Sequence, residues 1–298
     1  MKKAVIDIGT NSVKLCIGEE KQNKLTIYKD TNTITKLGEK MATDGKMTEQ
    51  AIERTSQSVK NYVKEAKADG ANEISIVGTM ALREAKNAND LKKRIKELTN
   101  IDVRTLSGQE EATLSYKAAI SDIKIPQNQD TLIFDTGGGS TEFIYGKNGT
   151  PTEQTSINIG AVRITEKYFS TLPITKEELE KAIKEIKQEI LNGKIQPKQV
   201  QIIGLGGNVT SMSAMKMKLE KYDAEKVQGS KLTKEEVTKQ TEQLSSMTVE
   251  EIRQIKGLNP KRAEIILAGA TIVRAIMEIN KANEITICDR GLRQELLK

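Results

Sequence analysis

The chain has 298 residues, 37% hydrophobic and 30% charged, which is typical of one large folded domain or two of ordinary size. Its 47 lysines and arginines exceed its 41 acidic residues, and the formal charge of +6 favours anionic partners, although a lysine-rich surface without a specific partner would give the same balance. The sequence contains no histidine, which excludes catalysis by Ser-His-Asp or Cys-His groups and metal sites built on histidine. It contains no tryptophan and only 3% aromatic residues, which argues against a protein that binds single-stranded nucleic acid by stacking on its bases.

Nothing in the sequence predicts a membrane partner or secretion. The longest apolar stretch, residues 265–279, is interrupted by Arg274 and is too short to cross a bilayer. The N-terminal segment reaches Asp7 after three apolar residues, so we do not expect a signal peptide. Cys16 and Cys288 lie far apart and offer neither a disulfide framework nor metal spacing. A reducing cytoplasm is therefore the expected location.

The first half of the chain alternates between strand and helix periodicity. Two strands flank a tight Gly-Thr-Asn turn, and an amphipathic helix is expected to begin at a Thr48 cap and to end at Gly70. A later helix starts with the capping-box pattern Ser107-x-x-Glu110. The predicted strands are residues 3–9, 12–20, 23–31 and 73–78, and the predicted helices are residues 48–70, 90–100 and 107–121.

The second half starts with strands again, after a polar, proline-containing segment at residues 123–130 that we predict to be the domain boundary. Strands that alternate with helices indicate α/β architecture. The predicted strands are residues 131–137, 140–146, 153–160, 200–207 and 284–291, and the predicted helices are residues 175–193, 233–247 and 259–280.

Two windows of the sequence align without gaps: "DIGTNSVKLCIG" and "DTGGGSTEFIYG". Each reads as a strand, a turn of small polar residues and a second strand. A single repeat at so long a spacing predicts a duplicated domain and not a solenoid. The aligned pairs are Asp7 with Asp135, Gly9 with Gly137, Ser12 with Ser140, and Gly18 with Gly146.

A turn of this composition can direct several backbone N–H groups into one anion-binding concavity. Two such turns on facing domains would hold a phosphate chain between them. The preceding aspartates would repel phosphate but can hold a Mg²⁺ ion that binds it. A pair of ordinary glycine hairpins, with aspartate as a turn former, is the alternative. The third glycine-rich turn, "GLGGN" at residues 204–208, favours phosphate binding.

These motifs resemble the Ppx/GppA family, the exopolyphosphatases and guanosine pentaphosphate phosphohydrolases of the actin, hexokinase and Hsp70-like ATPase superfamily. The resemblance implies an α/β fold of two duplicated actin-like (ribonuclease H-like) domains with a cleft between them. We expect the domains at residues 1–125 and 126–298, with a C-terminal helix at 290–298 that packs back on the first domain. The chain looks like a short, two-domain member, since the C-terminal HD-type domain of long members relies on histidine. The matching motifs are "AVIDIGTNSVKL", "GTMALREAKN", "SGQEEA", "FDTGGGSTEF", "NIGAVRITEKYF", "GLGGN", "NPKRAEIILAGATI" and "DRGLRQELL".

The resemblance also implies functional residues. Divalent-metal carboxylates fall on Asp135 and Glu142, with Asp7 near by, and an arginine suited to phosphate oxygens falls on Arg83. The catalytic glutamate lies in "SGQEEA", where the match favours Glu111. The implied phosphate-binding residues are Gly9, Thr10, Asn11, Ser12, Gly137, Gly138, Gly139, Ser140, Gly206, Gly207 and Asn208.

Helix geometry separates the two candidate glutamates independently. Ser107 and Glu110 fit the N-cap and N3 positions, so Glu110 should fold back onto the N-cap N–H. Glu111, one residue further, should point about a quarter-turn away and be free to face the cleft. Its alternative role is a solvated carboxylate at a helix start, favoured by the macrodipole.

The sequence departs from the family pattern in two motifs. The last one commonly reads Gly-Leu-Arg-Glu-Gly, whereas Gln294 follows Arg293 here. The third loop usually continues with threonines, and here Asn208 follows the two glycines. Contacts made by these two motifs are therefore expected to differ.

The expected activity is Mg²⁺-dependent hydrolysis of the terminal phosphoanhydride bond of inorganic polyphosphate, with Mn²⁺ as the alternative metal. Hydrolysis of the 5′ γ-phosphate of guanosine pentaphosphate (pppGpp) is a second enzymatic reading. A polyphosphate- or nucleotide-binding regulator with weak turnover is a third. We expect no nucleic-acid partner, and the resemblance is compatible with a homodimer.

Overall fold

The computed structural model describes the chain except for residues 23, 40, 42–44, 122, 124, 126–128, 194, 196, 197 and 199. Half of the predicted boundary at residues 123–130 lies outside the described residues. The chain forms two units, described separately below. Unit 1 comprises Met1–Ala118 and Leu292–Lys298, and unit 2 comprises Ala119–Gly291.

Unit 1 is built on a five-stranded sheet in the order β3-β2-β1-β4-β5. Strand β2 is antiparallel to both β1 and β3, whereas β4 runs parallel to β1 and β5 parallel to β4. The strands are β1 (Lys3–Ile8), β2 (Ser12–Lys21), β3 (Lys24–Ile34), β4 (Glu73–Gly78) and β5 (Val103–Thr105). The helices are α1 (Glu49–Ala68), α2 (Met80–Glu84), α3 (Ala88–Thr99) and α4 (Gly108–Ile120), and the chain returns to this unit with a last helix at Leu292–Leu296.

Helix α1 covers one face of this sheet. It begins at the predicted cap, where Thr48 Oγ1 accepts a hydrogen bond from Ala51 N at 3.2 Å. Its apolar residues recur at helical spacing, and buried Val59 and Val63 join Ile6 and other sheet residues in one core. The burial of these side chains, each worth roughly 1.5–3 kcal/mol, is what holds the helix on the sheet.

Unit 2 is built on a six-stranded sheet in the order β10-β11-β9-β6-β7-β8. The strands are β6 (Asp130–Thr136), β7 (Thr141–Lys147), β8 (Thr150–Ile157), β9 (Gln201–Leu205), β10 (Lys231–Thr233) and β11 (Glu284–Ile287). The helices are α5 (Ala161–Tyr168), α6 (Lys176–Asn192), α7 (Gly207–Lys216), α8 (Ala224–Val227), α9 (Lys234–Ser245), α10 (Val249–Ile252) and α11 (Ile266–Ile279); the last helix of unit 1 is therefore α12 (Leu292–Leu296).

Helices α6 and α9 begin where the sequence predicted them, each with a complete capping box. Thr175 and Glu178 exchange hydrogen bonds of 3.2 and 2.8 Å. Thr233 and Glu236 do the same at 3.2 and 2.9 Å. Each box satisfies two N–H groups that the first helical turn leaves without a partner. These starts are therefore determined by local sequence.

The two sheets share a topology, as the aligned windows predicted. From β8, unit 2 reads β8-β7-β6-β9-β11, which matches β3-β2-β1-β4-β5 of unit 1 strand for strand. The two sheets even share an irregularity, because the register shifts between Ile17 and Gly18 in one and between Tyr145 and Gly146 in the other. Gly18 and Gly146 are aligned in the sequence, and glycine is common at such bulges. The duplication therefore extends to the detail of the strands.

Some predicted boundaries were wrong. The predicted helix 259–280 is instead a 3₁₀ turn at Pro260–Arg262 followed by α11, which starts only at Ile266. Helices α5 and α7 were not predicted as elements. Eight of the ten residues of α7 are buried, so its sequence shows no polar face from which a helical period could be read. Within the described residues, no helix is both long enough and apolar enough to span a membrane.

Candidate active site

The first glycine turn, Gly9–Ser12, joins β1 to β2. Gly9 N donates to Ser12 O at 3.0 Å and closes the turn. Thr10 O accepts from Gly38 N at 2.8 Å, which fixes the turn from outside. The N–H groups of Thr10 and Asn11 donate to no backbone carbonyl of the described residues. This turn therefore has its carbonyls engaged and its amides available for an anion.

Asp7 precedes this turn and is 7% exposed. Its Oδ1 is buried and has no hydrogen-bond partner among the described residues. Lys14 lies opposite Asp7 in the β1–β2 register. A buried carboxylate oxygen without a partner is unfavourable unless something else satisfies it, and a bound cation would do so.

The second glycine turn, Gly137–Ser140, has the same geometry in unit 2. Gly137 N donates to Ser140 O at 3.0 Å, the bond made by the aligned residues of the first turn. Gly137 O accepts from Ala161 N at 2.9 Å, so the start of α5 fixes this turn from outside. The N–H groups of Gly138 and Gly139 donate to no backbone carbonyl of the described residues. The structure thus contains two copies of one turn, each with available amides.

Asp135 and Glu142 face each other across the second turn. They are direct partners in the antiparallel β6–β7 register, which places their side chains on one face of the sheet. Glu142 Oε1 accepts from Ser140 Oγ at 2.7 Å and from Ser156 Oγ at 3.0 Å. These two hydroxyls hold the carboxylate in place beside the turn.

The donor set suits Mg²⁺ bound jointly by protein and substrate. No group of three or more His, Cys, Asp or Glu side chains in the described part of the chain could hold a metal ion alone. Mg²⁺ commonly takes only one or two carboxylates, with phosphate oxygens and water as its other ligands. The carboxylate of Glu142, held by two neighbouring hydroxyl groups, and that of Asp135, its partner across the strand pair, fit that pattern.

The third glycine turn supports the end of β6. Gly206 has φ +91°, a conformation that favours glycine, and a Cβ there would overlap Asp135 Oδ1. Asn208, expected to bind phosphate, has its side chain 2% exposed against Gly269. Its Nδ2 donates to Thr136 O at 3.1 Å. In this structure the Asn208 side chain therefore holds the last residue of β6.

Arg262 is a candidate residue that sequence reasoning missed. Its guanidinium lies directly against Gly207, at the start of α7, where any Cβ would overlap it. The side chain is half-buried and makes no ion pair or hydrogen bond with the described residues, and burial lowers its pKa. A desolvated guanidinium beside helix N–H groups is suited to bind an anion. The motif "NPKRAEI" was the only signal in the sequence, and it does not indicate contact with residue 207.

Arg83 and Glu111 form an ion pair in unit 1. Arg83 Nη1 donates to Glu111 Oε2 at 2.6 Å and to Leu106 O at 3.1 Å. Both side chains are between a quarter and a third exposed. Helix geometry predicted a Glu111 side chain free of partners. In the structure Glu111 is paired, because Arg83 of α2 reaches it. The Nε and Nη2 groups of Arg83 make no hydrogen bond to the described residues, so this side chain can still bind a further anion.

Glu110 caps the helix, as predicted. Ser107 N donates to Glu110 Oε2 at 2.9 Å, and Glu110 N donates to Ser107 Oγ at 3.1 Å. Arg104 Nη2 donates to the other oxygen, Oε1, at 2.7 Å. The hydrogen bond from the Ser107 backbone, and then that from Arg104, lower the pKa of Glu110 from 4.5 to about 2. The two adjacent glutamates therefore have different partners.

The sequence model of the Ppx/GppA phosphatase family matches residues 16–298 of the chain. The chain belongs to the Ppx/GppA phosphatase family. The match starts after the first glycine turn, so the assignment of that turn depends on the geometry it shares with the second. Membership makes the protein an enzyme of the phosphatase class.

Several relatives are similar over nearly the whole chain. A Ppx/GppA phosphatase structure from Aquifex aeolicus has a TM-score of 0.88 and 33% identity, and the similarity covers 100% of this chain and 98% of that one. Exopolyphosphatase 2 of Mycobacterium tuberculosis is 25% identical over 97% of this chain and 95% of its own length. The bifunctional 3-dehydroquinate synthase/phosphatase of Fusobacterium nucleatum is 36% identical over 93% of this chain. The chain spans only 43% of that bifunctional relative.

Proposed function

We propose that the protein hydrolyses the terminal phosphoanhydride bond of inorganic polyphosphate and releases orthophosphate. The observation that carries this proposal is the repeated turn. Each copy follows an aspartate, closes with a 3.0 Å bond from its first residue to its last, and leaves two backbone amides available. Repeated phosphate groups are the ligand that two copies of one anion-binding turn suit best.

Polyphosphate is favoured over pppGpp by two further observations. The lysine and arginine excess suits a ligand that carries charge along its whole length, and aromatic residues that could stack on a purine are scarce. Relatives named exopolyphosphatase also match this chain nearly end to end.

In this scheme Glu111 is the general base and Arg83 positions it. As the general base, the Glu111 carboxylate would orient a water molecule and accept its proton. Arg83 binds the base through Nη1 and retains other donors for a phosphate oxygen of the substrate. One guanidinium would then hold the base and the scissile phosphate at a fixed separation, which is the main requirement of phosphoryl transfer to water.

Asp135 and Glu142 would hold Mg²⁺. The ion would neutralise charge on the phosphate oxygens during transfer. The Arg262 guanidinium and the amides of the glycine turns would bind the remaining phosphate groups of the substrate. Since backbone hydrogen bonds fix the two turns and hydroxyl groups hold Glu142, the protein would contribute mainly positioning and electrostatic stabilisation.

The test is orthophosphate release from polyphosphate and from pppGpp, each with Mg²⁺. Gly139→Ala is an informative variant, because a Cβ there meets no atom within 4 Å and so leaves the fold intact while narrowing the space above the turn. We expect release from polyphosphate by the unmodified protein and a raised KM in Gly139→Ala with an unchanged Tm. Faster release of orthophosphate from pppGpp than from polyphosphate would identify the protein as a pppGpp phosphohydrolase instead. No release from either substrate would favour a regulator that binds these ligands.

A further inference from the structure

The C-terminal helix α12 is held on unit 1 by a three-residue cluster, which we call the C-terminal clamp: Asp30, Arg293 and Gln294. Arg293 Nη1 donates to Asp30 Oδ1, and Gln294 Nε2 donates to Asp30 Oδ2 at 3.0 Å. Gln294 is 5% exposed. One carboxylate on β3 thus engages two consecutive side chains from the far end of the chain.

The clamp lies on the sheet face that bears Asp7. Asp30 is opposite Cys16, and Cys16 is opposite Val5, two residues before Asp7 on β1. Burial by itself would lower the pKa of Arg293, but the charge of Asp30, and more weakly that of Asp7, raises it above its ordinary value. Arg293 is therefore a permanent positive charge on this face.

Beyond the clamp, α12 and the residue that follows it, Leu297, complete a small apolar core. Leu297 is fully buried and shares this core with Val5 and Leu106, while Leu292 and Leu114 pack at its edge. The helix also contacts β1 and β2. The core therefore joins the C-terminal helix to the region around the start of α4.

That region positions the proposed catalytic pair. Leu106 immediately precedes the Ser107 cap of α4, and its carbonyl accepts the 3.1 Å bond from Arg83 Nη1. The same nitrogen of Arg83 holds Glu111. A displacement of Leu106 would therefore move both the arginine and the helix that carries the base.

The clamp also needs a hydrogen-bond donor at position 294. The Gln294 amide donates to Asp30. A carboxylate in its place could not donate and would lie against the charge of Asp30, which is unfavourable in a largely buried setting. With Asp at position 30, only a donor is suitable at position 294.

We infer that the C-terminal clamp positions the Arg83–Glu111 pair through Leu106, so that Asp30, Arg293 and Gln294 are positioning residues for catalysis. The catalytic part of this inference depends on the proposed function. Its structural part, the coupling of the clamp to α4, does not. The two parts therefore need separate measurements.

The test is a cycle of Gln294→Glu, Asp30→Asn and the double variant, which exchanges carboxylate and amide within the clamp. In Gln294→Glu we expect faster amide hydrogen exchange in α4 and a roughly tenfold lower kcat with KM nearly unchanged. The double variant should restore both, because it again contains one carboxylate, one amide and Arg293. Asp30→Asn alone retains Gln294, so its changes in α4 exchange and in kcat should be smaller. This variant replaces Gln294→Glu in the test if Gln294→Glu does not fold.

Glu189→Gln is the matched control, since it breaks the 2.6 Å ion pair with Lys167 in unit 2 by the same kind of exchange. It should leave exchange in α4 unchanged. The inference would be overturned if amide exchange in Gln294→Glu became faster in α12 but not in α4. It would also be overturned if the double variant restored neither the exchange rate of α4 nor kcat relative to Gln294→Glu. If the unmodified protein releases no orthophosphate, the proposed function fails, while hydrogen exchange still decides whether the clamp supports α4.

Discussion

Replacing Glu111 with glutamine should stop turnover while leaving the protein folded and able to bind substrate. Glutamine keeps the shape but cannot accept the proton of water, so kcat should fall by roughly 10²–10⁴-fold. The lost ion pair with Arg83 is partly exposed, so its removal should cost at most about 1 kcal/mol. That loss corresponds to a fall in Tm of roughly 2–4 °C, which is too little to explain the loss of rate.

The control is the adjacent substitution, Glu110→Gln. Glutamine at N3 still accepts the hydrogen bond from Ser107 N, and only the charge pairing with Arg104 is lost. Its kcat should stay within about twofold of the unmodified protein, since a substitution away from the reacting groups has little effect on rate. Steady-state orthophosphate release and thermal melts of both variants provide the comparison. An inactive Glu110→Gln together with an active Glu111→Gln would refute the assignment of Glu111 as the general base. If both variants were active, the general base would be another residue.

Two further substitutions test other groups of the site, and a pH profile tests the cap of α4. Asp135→Asn should raise the Mg²⁺ concentration for half-maximal rate roughly ten- to hundredfold. An Mg²⁺ titration of this variant that matches that of the unmodified protein would exclude Asp135 as a ligand. EDTA should abolish the activity of the unmodified protein. Arg262→Ala should raise KM for polyphosphate roughly tenfold or more with little change in Tm, because the side chain forms no ion pair with the described residues; an unchanged KM would remove Arg262 from the site. Glu110 has a folded-state pKa of about 2, below its ordinary 4.5, so its stabilising effect is complete above pH 4.5 and is lost as the pH falls towards 2. The Tm of Glu110→Gln should therefore fall less than that of the unmodified protein over this pH range. The same fall of Tm in both proteins would contradict this prediction.

Local sequence predicted those features whose causes are local. The aligned windows at Asp7 and Asp135 predicted a duplicated hairpin because each turn closes on itself, through Gly9 N in one copy and Gly137 N in the other. The cap at Glu110 could be predicted because both partners lie within one helical turn. The fold class followed from the alternation of strand and helix periods, which each element carries in its own residues.

Features that depend on distant contacts could not be predicted. Arg262 reaches Gly207 only because the 3₁₀ turn before α11 lies against the start of α7, more than fifty residues earlier in the chain. The hydrogen bond from Asn208 to Thr136 depends on the burial of α7 on nearly all sides, which turns that residue inward. Phosphate binding by Asn208 stays a prediction. The partner of Glu111 comes from α2, a short helix with too few turns to give a periodic signal.

We propose that water attacks the terminal phosphate of polyphosphate, and the transfer of an oxygen isotope from solvent water to orthophosphate measures that step. Polyphosphate would be incubated with the protein and Mg²⁺ in ¹⁸O-labelled water, and the products would be analysed by mass spectrometry. We expect orthophosphate as the only small product, with a single labelled oxygen in each molecule released. Unlabelled orthophosphate, transfer of phosphate to another acceptor, or internal cleavage of the chain into shorter polyphosphates would contradict the claim.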